Sequence, residues 1–159
     1  MRSCSKSNGI GVMSGTSLDG IDIAFCEFTL QDAHWEYDIL EARTFEYSTI
    51  WQEKLSGSRK LSGYDLKILS RDWSRLASKN INKFCQGTGR KPDFIASHGH
   101  TVFHQPENKL TLQIGDGAVM AVNTGVPVIC DFRSQDIEFG GQGAPLVPIG
   151  DKLLFSKYK

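Results

Sequence analysis

Apolar and polar positions near the start of the chain follow a strand-like rhythm. A short apolar run, Ile10 to Met13, leads into the turn-rich Ser14-Gly15-Thr16-Ser17-Leu18-Asp19-Gly20. Ile21, Ile23, Phe25 and Glu27 then alternate with Asp22, Ala24, Cys26 and Phe28. The pattern predicts two strands forming a hairpin across a long loop. A third strand is expected over 35–47 after a turn around 30–33, and short turns make consecutive strands antiparallel neighbours.

The rhythm then changes to a helical one. Ser62, with Asp65 three residues on, resembles a capping box. Leu66, Leu69, Trp73, Leu76, Ala77 and Phe84 recur at helical spacing and form one apolar stripe suited to a core. Gly87 and Gly89 are expected to end the helix, with Pro92 preventing its resumption. Phe94-Ile95-Ala96 predicts a short buried strand, and Leu110 to Ile114 alternates like another. Asp116 can cap a helix running through Val122 and closed by Gly125, and Pro127 to Cys130 forms a last apolar strand. Three antiparallel strands, then a helix, a strand, a helix and a strand, is the order of a ribonuclease H-like α/β fold. The expected core is a mixed five-stranded sheet with helices packed on it.

Composition narrows the class. A chain of 159 residues suffices for one substantial core. Eighteen basic and eighteen acidic residues cancel, so no global field draws it to nucleic acid or an anionic membrane. No apolar run approaches the roughly 20 residues of a spanning helix. Met1 to Asn8 is polar and lacks the apolar stretch of a secretory signal. Cys4, Cys26, Cys85 and Cys130 lie far apart, which predicts reduced thiols in a cytoplasmic protein, with Cys26 and Cys130 buried in apolar stretches. The final segment, Asp151 to Lys159, has apolar residues and lysines but no cap, so it reads as a frayed tail or one whose continuation is missing.

Three segments can carry chemistry. The first is Gly11 to Asp22, where glycines permit close approach of a ligand to the backbone, and hydroxyls and N–H groups can surround phosphate oxygens. Asp19 or Asp22 could hold Mg²⁺, directly or through water. The plain alternative is a glycine-rich hairpin loop with an Asx-turn. The segment is neither a Walker loop nor a dinucleotide fingerprint. The second, Ser97-His98-Gly99-His100-Thr101-Val102-Phe103-His104, is expected as a loop just after a strand. Its histidines suit polar substrate contact or structural hydrogen bonding better than metal binding, although His98 and His100 would share a face if extended. The third is Asp131-Phe132-Arg133 with Asp136, followed by Gly140-Gly141-Gln142-Gly143-Ala144-Pro145. Arg133 offers a planar fork for a carboxylate or phosphate; equally, an Asp–Arg pair could pin the loop. The helix starting near Asp116 adds free N–H donors.

In this order the blocks resemble the anhydro-N-acetylmuramic acid kinases. Gly11-Val12-Met13-Ser14-Gly15-Thr16-Ser17-Leu18-Asp19-Gly20-Ile21-Asp22 is similar to that family's opening ATP loop, and Ser97 to Pro106 to its second block. Gln113-Ile114-Gly115-Asp116-Gly117, and Asp131-Phe132-Arg133 with Gly140 to Pro148, resemble the third and fourth. The likeness runs from Gly9 to about Phe155. His100 departs from the pattern, where glutamine is expected; an imidazole can replace its hydrogen bonding but can also titrate.

The resemblance implies a member of the actin-like, sugar kinase and heat-shock ATPase superfamily. Such an enzyme uses ATP and Mg²⁺ to convert 1,6-anhydro-N-acetylmuramic acid to N-acetylmuramic acid 6-phosphate while water opens the anhydro ring, a step of cell-wall recycling. Gly15, Thr16, Ser17, Leu18, Asp19, Gly20, Ile21 and Asp22 would face ATP, with Asp19 near Mg²⁺. Arg133 would contact the sugar, with His98, Thr101 and Asp116 as further contacts. The family's catalytic aspartate lies in an Asp-Thr-Gly-Pro-Gly-Asn block that has no counterpart in residues 1–159. The chain therefore reads as the N-terminal domain of a two-domain kinase, inactive by itself, cytoplasmic, with a homodimer conceivable. A chaperone-type or filament-forming ATPase of the same fold and a non-catalytic sugar-binding module are the other two readings.

Overall fold

The computed structural model describes residues 4–32, 34–144 and 146–155. Strand β1 (Cys4–Ser14) and strand β2 (Gly20–Gln31) are the antiparallel hairpin expected from the alternation. Strand β3 (His34–Glu46) pairs with β2, again antiparallel. Helix α1 (Thr49–Ser56), a 3-10 turn (Ser58–Lys60) and helix α2 (Gly63–Thr88) follow. Strand β4 (Phe94–Gln105) lies parallel to β1, and strand β5 (Leu110–Ile114) folds back on it. Helix α3 (Gly117–Thr124) then leads to the two-residue strand β6 (Val128–Ile129), parallel to the start of β4. Short helices α4 (Ser134–Glu138) and α5 (Leu146–Gly150) and a wide helical turn (Asp151–Phe155) complete the described chain.

The main strand order is β3-β2-β1-β4-β5, with β6 beside β4. This is the ribonuclease H-like arrangement. The sheet has six strands rather than five, because β4 runs to Gln105 and carries β5 as an antiparallel extension.

One face of the sheet is covered. Ile10, Val12, Ile21, Ile23, Phe25 and Ile95 form a buried layer with Leu69, Trp73, Ala77, Ile81 and Phe84 of α2. Ser62 caps α2 as expected: its Oγ accepts from Asp65 N at 3.1 Å and donates to the Asp65 carboxylate at 2.6 Å. Gly89, at φ 67°, closes the helix, whereas Gly87 lies within it. Among the predicted stripe residues, Leu66 and Leu76 are only partly buried.

A second ridge on α2 was not expected. Ser70, Ser74 and Ser78 are all buried, four residues apart. Ser74 and Ser78 each donate to the carbonyl one turn back, at 2.8 and 2.7 Å. Their free acceptor capacity meets the next segment: Ser70 Oγ accepts from Gly115 N and Ser74 Oγ from Asp116 N. Small hydroxyls let the β5–α3 turn approach α2 closely and satisfy its backbone donors there.

The opposite face is more open. Gly11, Met13 and Asp22 are exposed on it, and the Phe94 ring lies across Gly9, so that a side chain there would have to displace it. Cys130 is exposed, contrary to expectation, because β6 is too short to bury it; Cys26 is half-buried.

Candidate functional site

The Gly15–Asp19 loop is built from its own side chains. Ser17 Oγ donates to Asp19 Oδ1 at 2.7 Å, and Gly20 N donates to the same oxygen at 3.0 Å. These bonds, that from Ser17 foremost, hold the Asp19 carboxyl below the usual carboxylate range, so it is ionised. Leu18 sits in the left-handed region at φ 60°. Gln52 of α1 donates to its carbonyl at 3.0 Å. Tyr47 N donates to the Asp19 carbonyl at 3.0 Å, tying the loop to the end of β3. Asp22 lies beyond the loop on β2, where its carboxylate accepts from Thr44 Oγ1 at 2.6 Å.

The second block is not a loop. It lies within β4, interrupted by a bulge: Val12 pairs with Ser97 but Ser14 pairs with His100, so β4 carries one extra residue there. Gly99, at φ 74°, supplies the backbone conformation. The slip moves the buried set from Ile95 and Ser97 to His100 and Val102. His98 and His100 therefore do not share a face as simple alternation would have it.

Their partners differ accordingly. Arg133 Nε donates to His98 Nε2 at 2.8 Å. A guanidinium only donates, so the His98 proton must sit on Nδ1, from which it reaches the Gly99 carbonyl at 3.3 Å. Burial first and the Arg133 charge second push the His98 pKa down. Arg133 Nη1 also donates to the Gly143 carbonyl at 2.6 Å, and Gly143 N donates to Asp136 Oδ2 at 2.7 Å. The Gly140–Gly143 turn is thus held by Asp136 and Arg133 together. Asp131 is not Arg133's partner; it accepts from Ser134 N and Oγ.

His100 joins a buried chain. Trp73 Nε1 donates to Tyr47 Oη at 2.7 Å; Tyr47 Oη lies 2.7 Å from Ser14 Oγ, and Ser14 Oγ 3.0 Å from His100 Nδ1. Indole N–H is a donor only, so Tyr47 accepts from Trp73 and its own hydrogen goes to Ser14. Ser14 then donates to His100 Nδ1, leaving the imidazole proton on Nε2. In this direction every polar atom of the chain has a partner within it except His100 Nε2–H. Burial, with His98 nearby, lowers the His100 pKa to about 4. Replacing Tyr47 with phenylalanine should leave Trp73 N–H and the Ser14–His100 pair short of a partner. The expected loss is about 1–3 kcal/mol in chemical denaturation, with a shifted Trp73 emission.

The remaining predicted positions are placed less centrally. Asp116 caps α3 with Oδ1 and takes Lys67 on Oδ2 at 2.7 Å, so both of its oxygens are engaged within the protein. Thr101 adjoins Thr16 and His100 in a small cleft. His104 approaches Thr111 Oγ1 at 3.3 Å. Each histidine of the block thus has its own partner, and among the described residues no group of three His, Cys, Asp or Glu side chains is placed to hold a metal ion. No helix among them is long and apolar enough to cross a membrane.

On the open face, Gly11, Met13, Asp22, Ala24, Ala96 and Phe132 border a cleft of about 650 Å³. The loop, the cleft and the His98–Arg133 pair thus lie at or beside the adjacent strands β1, β2 and β4. Sequence reasoning missed Tyr47 and Trp73 as members of a polar chain, since their partners are distant in the sequence.

A family model described as anhydro-N-acetylmuramic acid kinase matches residues 7–159. A protein of that name from Pseudoalteromonas translucida is 37% identical over 161 residues, covering 92% of this chain and 40% of the relative. Similar proteins of the same name occur in Brucella canis, 38% identical over 87% of this chain, and Pseudomonas fluorescens, 38% identical over 93%. The chain spans about 40% of the length of these curated relatives.

Proposed function

The chain belongs to the anhydro-N-acetylmuramic acid kinase family, and on that premise we propose that it supplies the phosphate loop and part of the sugar site of an ATP-dependent kinase. The reaction is phosphorylation of 1,6-anhydro-N-acetylmuramic acid with hydrolytic opening of the anhydro ring, in the cytoplasm. The observation that carries this reading is the loop: an ionised Asp19 beside exposed Thr16 and Ser17, joining two antiparallel strands next to the His98–Arg133 pair.

The residues present fit Mg²⁺ and nucleotide phosphates. Mg²⁺ keeps most of its water and takes one or two carboxylates plus phosphate oxygens, rather than a complete protein cage. Asp19 offers Oδ2, since Oδ1 is taken by Ser17 and Gly20. Bound there, the ion would neutralise phosphate charge. Thr16 and the loop N–H groups would orient the phosphate oxygens, and such transfer depends chiefly on in-line positioning. Arg133 keeps N–H donors beyond those used by His98 and Gly143, enough to meet a polar sugar substituent. His98, neutral and doubly bonded, orients Arg133 rather than moving a proton. The general base is assigned to no residue of 1–159, which form the first of two domains.

A chimera tests this. Residues 7–159 replace the matching segment of the Pseudoalteromonas translucida relative, and phosphorylation of the anhydro sugar is measured. Turnover with both ATP and sugar is expected, and Asp19→Ala should lower kcat about 100-fold. ATP hydrolysis indifferent to the sugar, or unchanged kinetics in the variant, would refute the assignment.

A further inference from the structure

The phosphate loop borders a second cleft, on the side of α1, which shares Thr16 with the proposed phosphate site but is otherwise lined by residues given no part in the phosphotransfer. It measures about 260 Å³ and lies among Thr16 and Leu18 of the loop, the end of α1, the 3-10 turn, and His100 and Thr101 of β4. Its lining is chemically one-sided. Arg59 is the only charged side chain there, and none of the lining residues is acidic. Among the described residues no ion pair involves Arg59.

Arg59 is also held in place. Its Nε donates to the Val102 carbonyl at 2.9 Å, which fixes the plane of the guanidinium and leaves the terminal N–H groups as donors. Thr16, Ser58 and Thr101, each a hydroxyl residue, line the same space. His100 completes the set. The Trp73–Tyr47–Ser14 chain occupies its Nδ1 and places the ring proton on Nε2, so the imidazole turns a donor and no acceptor to further ligands. Burial keeps that ring neutral, so its donor costs no extra buried charge.

We propose that this cleft binds a small oxyanion, a phosphate or carboxylate group, through Arg59, the His100 Nε2–H and the surrounding hydroxyls. Charge-assisted hydrogen bonds from a fixed guanidinium are the strongest contacts available to such a group. The three-residue relay behind His100 is then a positioning device, since it selects the tautomer that can donate.

The test uses this chain, labelled with ¹⁵N in its histidines, titrated separately with inorganic phosphate and with D-lactate at constant ionic strength. Saturable movement of the His100 Nε2 resonance with either anion is expected, and the tighter of the two identifies the source of the oxyanion. Arg59→Gln should weaken that binding about tenfold, whereas Arg59→Lys should recover part of it. Thr101→Val, which leaves the charge intact, should weaken it a few-fold and serves if Arg59→Gln fails to fold. A His100 resonance unmoved by both anions overturns the proposal, as does binding of equal strength in Arg59→Gln and Thr101→Val. The measurement involves no phosphotransfer, so its failure and that of the kinase reading are separable.

Discussion

Gly99→Ala should destabilise the protein more than any other single methyl addition in the sheet. Gly99 sits at φ 74°, where an L side chain is strained, and a Cβ there would overlap the carbonyl oxygen of Ile114 and crowd its carbonyl carbon at 3.3 Å. The strain costs about 1–3 kcal/mol and overpacking against backbone about as much again. The backbone of β5 cannot yield without losing its pairing with β4. A loss of about 3 kcal/mol or more is expected, lowering Tm by roughly 10 °C in a chain of this size. Gly125→Ala is the control, because Gly125 is also left-handed, at φ 69°, but has open space around its missing Cβ. It should cost only about 1 kcal/mol. Equal losses in the two variants would show that the bulge is not held against Ile114 as described.

The same glycine explains where the sequence was legible and where it was not. Alternation in Ile21, Ile23 and Phe25 is a local signal, and one face of the sheet is buried, so the pattern translates directly into β2. Caps are local too: Ser62 and Asp116 find their N–H partners within three residues. The block from Ser97 to His104 reads as a loop because a glycine and polar residues interrupt the apolar run. It is nevertheless strand, since pairing with β1 on one side and β5 on the other satisfies its backbone. Helix α1 has only one buried residue, Leu55, and leaves no stripe to detect. For the site, the loop residues were legible as a set, but their supports were not. Arg133 finds His98 35 residues back in the chain, and Ser14 finds His100 86 residues ahead. No spacing rule joins such pairs; the adjacency of β1 and β4 brings Ser14 to His100, and that of β6 and β4 brings Arg133 toward His98.

Lowering the pH from about 6.5 to 4 should cost the folded chain roughly 3 kcal/mol through His100 alone. The folded imidazole has its pKa lowered from 6.5 to about 4, chiefly by burial. Between those values the unfolded chain binds the proton and the folded one does not. His100 therefore leaves stability untouched above pH 6.5 and removes it progressively as pH falls toward 4. His98, depressed by burial and by Arg133, acts in the same direction, with its window also opening below 6.5. Asp19 and Asp116 have carboxyls held below 3.8 by hydrogen bonds, so their contributions are lost only in stronger acid. His100→Gln separates the two histidines, because the amide can still accept from Ser14 and has no proton to gain in this range. Urea unfolding at pH 7 and pH 4.5 should give a much smaller difference in the variant than in the wild type, the remainder belonging to His98. An undiminished difference would mean that His100 is not the buried neutral ring at the end of the Trp73 chain. The tautomer argued for the oxyanion cleft would then lose its basis as well, because a ring that protonates freely near neutrality would carry hydrogens on both nitrogens and could not accept from Ser14.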